Sequence, residues 1–291
     1  MKFTVAVDAM GGDESPLKVI KGLDLFLQNN QDLKFLIFGN RDLINPIIEK
    51  YPLVGTSSTI VHTNEKVSDN ESPLEAVKNG KNSSMWLALT ALKNKNADIA
   101  ISAGNTAALL VMSRLILETI NGIDKPALAS MWPSHKGLSV VLDLGANIDC
   151  SIKNLVDFSK LGAALYFSFN GFIEGNHIKD GNVDVIVTDG FSGNIALKTA
   201  EGTAKYIAAL VKEKFLRSWY SKFIYLLSFK IFNSIKNDLD PRKYNGGIFL
   251  GLTSPVVKSH GGTDYIGFYH SIKLCYDILN GNLQEQIQKN L

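Results

Sequence analysis

Five times along this chain a short apolar run ends in a cluster of Gly, Asn, Asp and Ser, and a segment of helical spacing follows. Thr4 to Val7 leads into Asp8-Ala9-Met10-Gly11-Gly12-Asp13, and Asp98 to Ile101 into Ser102-Ala103-Gly104-Asn105-Thr106. Val140 to Leu142 leads into Asp143-Leu144-Gly145-Ala146-Asn147, and Val183 to Val187 into Thr188-Asp189-Gly190-Phe191-Ser192-Gly193-Asn194. Pro255 to Val257 leads into Lys258-Ser259-His260-Gly261-Gly262. This alternation is the signature of βα units, because a parallel strand pair needs a crossover and a helix supplies it. The chain is thereby restricted to an α/β fold, a mostly parallel sheet flanked by helices. Phe35 to Phe38 and Thr59 to Val61 read as further strands. Ser15-Pro16 and Ser72-Pro73 read as helix starts, with Ser at the cap and Pro in the first turn. No Pro/Ser-rich linker, low-complexity tract or fixed-period repeat interrupts the pattern, so residues 1–291 are expected to form a single α/β domain with room for two lobes.

Several function classes drop out on composition and motifs. A chain of 291 residues buries roughly 75% of the surface its unfolded form exposes, so its core needs no disulfide or structural metal. Its two cysteines, Cys150 and Cys275, have no paired spacing, which predicts a reducing, cytoplasmic setting. No apolar run is long enough to span a membrane, and the first strand is too short for a secretory signal. A formal net charge of +2 without an RNA- or DNA-binding motif predicts no nucleic-acid partner. The Asp and Glu residues show no metal-loop spacing, and the P-loop and G-x-G-x-x-G fingerprints are missing, so no metal and no cofactor are expected.

In an open parallel sheet, strand ends of this type converge on one crevice. Small residues let backbone N–H groups approach a ligand there, and helix N-termini behind them favour a phosphate or carboxylate. The candidate anion-binding set is Asp8, Gly11, Gly12, Asn105, Asn147, Gly193, Lys258 and Gly261. His260, between a strand and a Gly-Gly turn, is the candidate for proton transfer, with Asp189 to orient it and the Ser192–Asn194 turn to supply oxyanion donors. Each cluster taken alone also reads as a tight turn, with Asp8 and Asp189 accepting backbone N–H bonds.

The segment 211–240 carries a second signal. Lys212, Lys214, Arg217, Lys222, Lys230 and Lys236 face only Glu213 up to residue 236, and aromatic residues are interleaved among them. Phe215, Trp219, Phe223, Leu227, Ile231 and Ile235 recur every four residues, the mark of one side of a helix or helical hairpin. A subunit interface and a basic amphipathic element on anionic lipid both fit.

Read together and in order, the five motifs resemble the PlsX-type phosphate acyltransferases. The resemblance covers most of the chain. It implies an isocitrate/isopropylmalate dehydrogenase-like fold with a helical amphipathic protrusion. The implied activity is acyl transfer from acyl-carrier protein to inorganic phosphate, the first step of phospholipid synthesis. It also implies a bacterial homodimer associated peripherally with the membrane, and the glycerol-phosphate acyltransferase that follows as a further partner. The catalytic set would be His260, Asp189 and Asn194. The membrane or dimer set would be Phe215, Trp219, Lys222, Phe223, Leu227 and Lys230.

The chain departs from that pattern once. After Leu161-Gly162-Ala163-Ala164-Leu165-Tyr166 the family continues with a strand, an Asn-Ile-Gly-x-Glu-type turn, a lysine and another helix. Here Tyr166 runs almost directly into Phe169-Asn170-Gly171-Phe172. One βα unit is missing, and with it a crevice cation that Lys258 or Lys160 would have to replace. A catalytically impaired member that keeps only carrier-protein or membrane binding is therefore an alternative. So are a phosphotransacetylase acting on a CoA thioester and a decarboxylating dehydrogenase of the same architecture.

Overall fold

The alternation builds one nine-stranded sheet. The computed structural model describes residues 2–164, 170–238 and 240–291, with every side chain among them but those of Lys222 and Lys236. The first half runs β1 (Phe3–Asp8), α1 (Leu17–Leu27), β2 (Leu33–Gly39), α2 (Arg41–Ile48), α3 (Pro52–Ser57), β3 (Ser58–His62), α4 (Pro73–Asn79), α5 (Ser84–Lys93), β4 (Ile99–Ser102) and α6 (Thr106–Leu117). A hairpin follows, β5 (Ala127–Ser134) and β6 (Gly137–Leu142), then α7 (Ile152–Ala163) and β7 (Val185–Val187). Three consecutive helices come next, α8 (Gly190–Leu216), α9 (Trp219–Leu227) and α10 (Phe229–Asp238). The chain re-enters the sheet as β8 (Gly247–Leu250) and β9 (Val256–Lys258), and α11 (Tyr265–Asn280) and α12 (Leu283–Asn290) complete it.

Strand order is β3-β2-β1-β4-β9-β8-β5-β6-β7. Strands β1 to β4 and β9 are mutually parallel, and β8 is antiparallel to β9 and β5. The β5–β6 hairpin then reverses the chain, so β6 and its parallel neighbour β7 run opposite to β1. Alternation along the strands sorts the core onto two faces. Val5, Val7, Ile99 and Ile101 pack with Val19, Leu23 and Phe26 of α1 and Phe268 and Ile272 of α11. Ala6 and Ala100 pack with Leu89 and Leu92 of α5 and Leu109 and Met112 of α6.

Two strands escaped the sequence reading. In β5, Pro133 lacks an N–H and signals a loop, but it lies beyond the stretch paired with β8, which ends at Ser130, so only one neighbour is present there. Strand β8 is four buried residues behind Gly246, too short for a periodicity to show. Ser72 caps α4 as expected, accepting from the Glu75 N–H. Ser15 does not cap α1; its hydroxyl donates to the Gly11 carbonyl at 2.6 Å, and Pro16 occupies the cap. The four-residue apolar repeat of segment 211–240 is divided by helix breaks at residues 217–218 and 228, so it does not mark one continuous helix. Phe215 packs inward against Tyr225 and Phe232, with ring centroids 5.9 and 4.8 Å away, and ties the three helices together. Trp219, Phe223 and Leu227 are exposed, and the side chain of Lys222 lies outside the described residues. Among the described residues no helix is long and apolar enough to cross a membrane.

Candidate functional site

The parallel half of the sheet brings three of the five turns together. Asp8, Ser102 and Lys258 end β1, β4 and β9 in one register row, so the loops that follow share one edge. Their approach is close: a Cβ on Gly11 would sit 2.5 Å from the Gly104 N, which reserves both positions for the smallest residue. Asp8 is the tie beneath. Its buried carboxylate accepts from the Ser84 and Ser102 hydroxyls, each at 2.6 Å, and from the Met10 N–H. It anchors the loops and has no free oxygen turned to a ligand. Asn105 is likewise engaged, capping α6 at Ala108 N and donating to the Asp69 and Glu71 carbonyls, which draws the 69–71 loop over the opening.

The result is an open crevice of about 370 Å³ lined by Asp13, Asp69, Gly104, Asn105, Thr106, Lys258, His260, Gly261 and Gly262. The N-terminus of α6 forms one wall, where its dipole favours an anion. Lys258 is buried, and desolvation reinforced by the nearby Lys18 ammonium pulls its pKa down to about 7. Its Nζ donates to the Ser259 carbonyl. Asn245 holds the loop from behind, accepting from the His260 N–H at 3.1 Å and donating to Ser259 Oγ, Gly267 O and Ser271 Oγ.

His260 is where the geometry becomes chemical. The Gly262 N–H points at its Nδ1 at 3.1 Å, so the neutral ring carries its proton on Nε2. Lys198 of α8 places its ammonium 3.3 Å from that Nε2. Partial burial, then the Lys198 and Lys258 cations, hold the ring below the usual imidazole pKa and so keep it neutral. In that tautomer two donors face each other, with Lys198 also held by Glu201 Oε2 at 3.0 Å, and an oxyanion between them would satisfy both.

The other candidates lie apart. Because β6 and β7 run opposite to β1, their turns leave the sheet in the other direction, and Val141 is three strands, about 14 Å, across from Lys258 in the same register row. Asn147 is buried there, donating to Pro126 O and the Asp143 carboxylate. Burial pushes the Asp143 carboxyl up, against four hydrogen bonds that favour its charged form. Asp189 caps α8 by accepting from the Ser192 N–H, the foremost cause of its lowered pKa, and it does not touch His260. The Gly193 N–H donates to the Asp189 carbonyl, so the Ser192 and Gly193 amides close a helix turn and offer no oxyanion hole. Asn194 packs against Gly145. What joins the two clusters is α8: eight residues beyond Gly190, about 12 Å, it delivers Lys198 to His260.

Lys18 and Lys198 were not singled out from sequence. Lys18 had a visible signal, since it occupies a stripe with Gly22 and Phe26 that α1 buries. Lys198 had none, because only the reversal at β5–β6 aims α8 at His260. Lys160, a candidate replacement cation, stands on α7 beside Asp157 at 3.8 Å and takes no part. Among the described residues no three His, Cys, Asp or Glu side chains assemble as a metal site.

Comparison with known proteins agrees with the motifs. A sequence model of the family described as "Fatty acid synthesis protein" matches residues 3–168 and 161–286. The chain is 46% identical to the phosphate acyltransferase of Pelagibacter ubique (strain HTCC1062) over 328 positions, covering 99% of this chain and 98% of that protein. It is 41% identical to the phosphate acyltransferase of Rhodospirillum centenum (strain ATCC 51521 / SW), covering 100% and 93%. The fold is similar to that of a phosphotransacetylase from Streptococcus pyogenes, with a TM-score of 0.60 at 14% identity over 93% of this chain and 92% of the other. An alignment of 328 positions exceeds the 291 residues present, and the family match divides at residues 161–168, where the missing unit was placed. The junction itself, residues 165–169, lies outside the described residues. The chain belongs to the phosphate acyltransferase family, as a member shortened by one internal stretch.

Proposed function

We propose that this enzyme transfers an acyl group from the thioester of acyl-carrier protein to inorganic phosphate, giving acyl phosphate and the free carrier thiol for phospholipid synthesis. The single observation that carries the reading is the 3.3 Å approach of Lys198 Nζ to His260 Nε2 at the mouth of the crevice. Phosphate seated between these donors, Lys258 and the α6 N-terminus presents an oxygen to the thioester carbonyl. Positioning is most of the catalysis, because hydrogen phosphate needs no enzyme nucleophile. The new C–O bond forms, the tetrahedral intermediate collapses, and the C–S bond breaks. The proton carried by hydrogen phosphate ends on the carrier sulfur. His260, neutral and protonated on Nε2, keeps that proton: its N–H donates a hydrogen bond to the phosphate and then to the developing charge on the leaving sulfur, whose proton comes from the phosphate.

The carrier protein is acidic as a class, and Lys205, Lys212 and Lys214 on the exposed length of α8 offer it a docking face. We further propose a cytoplasmic homodimer in peripheral contact with an anionic membrane, and through it with the glycerol-phosphate acyltransferase that consumes the product. The exposed Trp219, Leu226 and Leu227, at 82, 69 and 71%, support that contact, because apolar surface of this kind calls for a partner.

The test is acyl phosphate formation from palmitoyl-carrier protein and inorganic phosphate, with acetyl-CoA as the competing donor. His260→Ala is expected to lower turnover about 100-fold with the fold intact. Product from acetyl-CoA alone would replace this reading with a phosphotransacetylase, and no product from folded protein with either donor would refute it.

A further inference from the structure

Lys18 is a charged residue at 2% exposure on the first turn of α1, and the reaction above does not use it. Its Nζ donates to the Gly261 carbonyl, which also accepts from the Asp13 N–H at 3.1 Å. The Gly261–Gly262 peptide is trans, so its N–H points away from its C=O, and that N–H is the group aimed at His260 Nδ1. Lys18 and His260 thus sit at the two ends of a single peptide unit. An ammonium on the oxygen end polarises the amide, strengthens its N–H as a donor, and fixes its plane so that it meets Nδ1. The carboxylates around Lys18 are Asp13, Asp69 and Glu14, and none of them forms an ion pair with it within 4.0 Å, since the salt bridges among the described residues all lie elsewhere. Lys258 makes the parallel arrangement two peptides earlier, donating to Ser259 O while the His260 N–H donates to Asn245 Oδ1.

We infer that Lys18 is a positioning residue for His260, fixing through the Gly261–Gly262 peptide the tautomer that presents N–H at Nε2 to the bound anion and the leaving sulfur. The inference rests on the acyl-transfer reading for its catalytic consequence, but not for the tautomer itself.

The experiment is a ring-nitrogen correlation spectrum of ¹⁵N-histidine-labelled wild type and Lys18→Met, assigned with His260→Ala, without substrate. The wild-type ring should be protonated at Nε2, and in Lys18→Met the Nδ1-protonated form should rise severalfold. With palmitoyl-carrier protein and phosphate, kcat of Lys18→Met should fall on the order of 10- to 100-fold while KM for phosphate stays within about threefold. Lys18→Gln, which keeps a neutral donor, should restore most of the tautomer and part of kcat, and it is the variant read if Lys18→Met does not fold. An unchanged His260 tautomer in a folded variant overturns the inference whatever the activity. A wild type that makes no acyl phosphate overturns the acyl-transfer reading alone, and the spectra still decide the role of Lys18.

Discussion

Gly193→Ala isolates the contact that seats α8. A Cβ at this position would lie 2.0 Å from the Asp143 carbonyl oxygen and 3.0 Å from Thr188 Cγ2, where ordinary contact begins near 3.4 Å. Something must move by about 1 Å or more, and the obstructing atom is backbone. The Asp143 turn cannot yield easily, because its carboxylate accepts from Leu128 N, Ala146 N, Asn147 N and Asn147 Nδ2 at 2.7–3.0 Å. The helix therefore gives way. Overpacking of this kind costs about 1–3 kcal/mol, and a rigid neighbour places the substitution at the upper end. At about 2–4 °C per kcal/mol in a chain of this size, the melting temperature should fall by roughly 5–10 °C. Lys198 lies five residues further along the same helix, so a displacement of about 1 Å reaches the His260 pair and should lower kcat/KM on the order of 100-fold. Gly202→Ala is the matched control, a helical glycine with nothing within 4 Å of its Cβ position. There the substitution should stabilise by about 0.5–1 kcal/mol and leave turnover alone. Calorimetry and acyl phosphate trapping with hydroxylamine measure both. A Gly193→Ala protein that melts within about 1 °C of wild type and turns over normally would show that α8 is not seated on the Asp143 carbonyl.

Two further outcomes follow from the same surfaces. Lys258 has its pKa lowered from 10.5 to about 7 by burial, so between those values the unfolded chain binds the extra proton and stability rises with pH; below about pH 7 the full penalty applies. Lys258→Met should therefore gain stability relative to wild type near pH 6.5 and lose that advantage by about pH 10, read from urea midpoints across the range; an advantage independent of pH would exclude the buried ammonium as its cause. Replacing Trp219, Phe223 and Leu227 together by Ser should abolish flotation with anionic vesicles while the melting temperature stays within about 2 °C, because these side chains are exposed.

Sequence showed the parallel half of the molecule well and the reversed half poorly. The β1, β4 and β9 turns were legible because strand, small-residue cluster and helix are adjacent in the chain, and the elements that bring Gly11 to Gly104 are local. The hairpin at Ser134–Gly137 was not, since Pro133 disguises one strand, and the direction of every later element depends on it. That single reversal separates Asn147, Asp189, Gly193 and Asn194 from His260, although their residue types match a phosphate crevice as well as those of the first cluster do. Pattern identifies turn chemistry; the sense in which a strand runs is settled by pairing across the sheet. The contact that orients the His260 ring was equally out of reach, being made by one amide two residues on.

Around the shortened stretch the sheet still pairs, while Ile148, Ile152, Phe172, Phe191 and Ile195 of the neighbouring segments stand exposed. Strands β6 and β7 pair directly from Val140 with Val185 to Leu142 with Val187, and α7 closes on that edge so tightly that a Cβ on Gly162 would lie 2.9 Å from Val185 Cγ1. The loss falls on charge as well as on packing. A dianionic substrate needs basic groups at the crevice, and in this chain the lysines of the His260 loop come from three separate elements: Lys198 from α8 and Lys258, with its pKa at about 7, from β9 face the site, and Lys18 from α1 supports the loop. Lys258 and Lys18 hold the Ser259 and Gly261 carbonyls on either side of His260, and Lys198 faces its imidazole. Basic groups drawn from independent elements do not depend on the missing turn, which is the physical reason to expect phosphate chemistry to survive its absence.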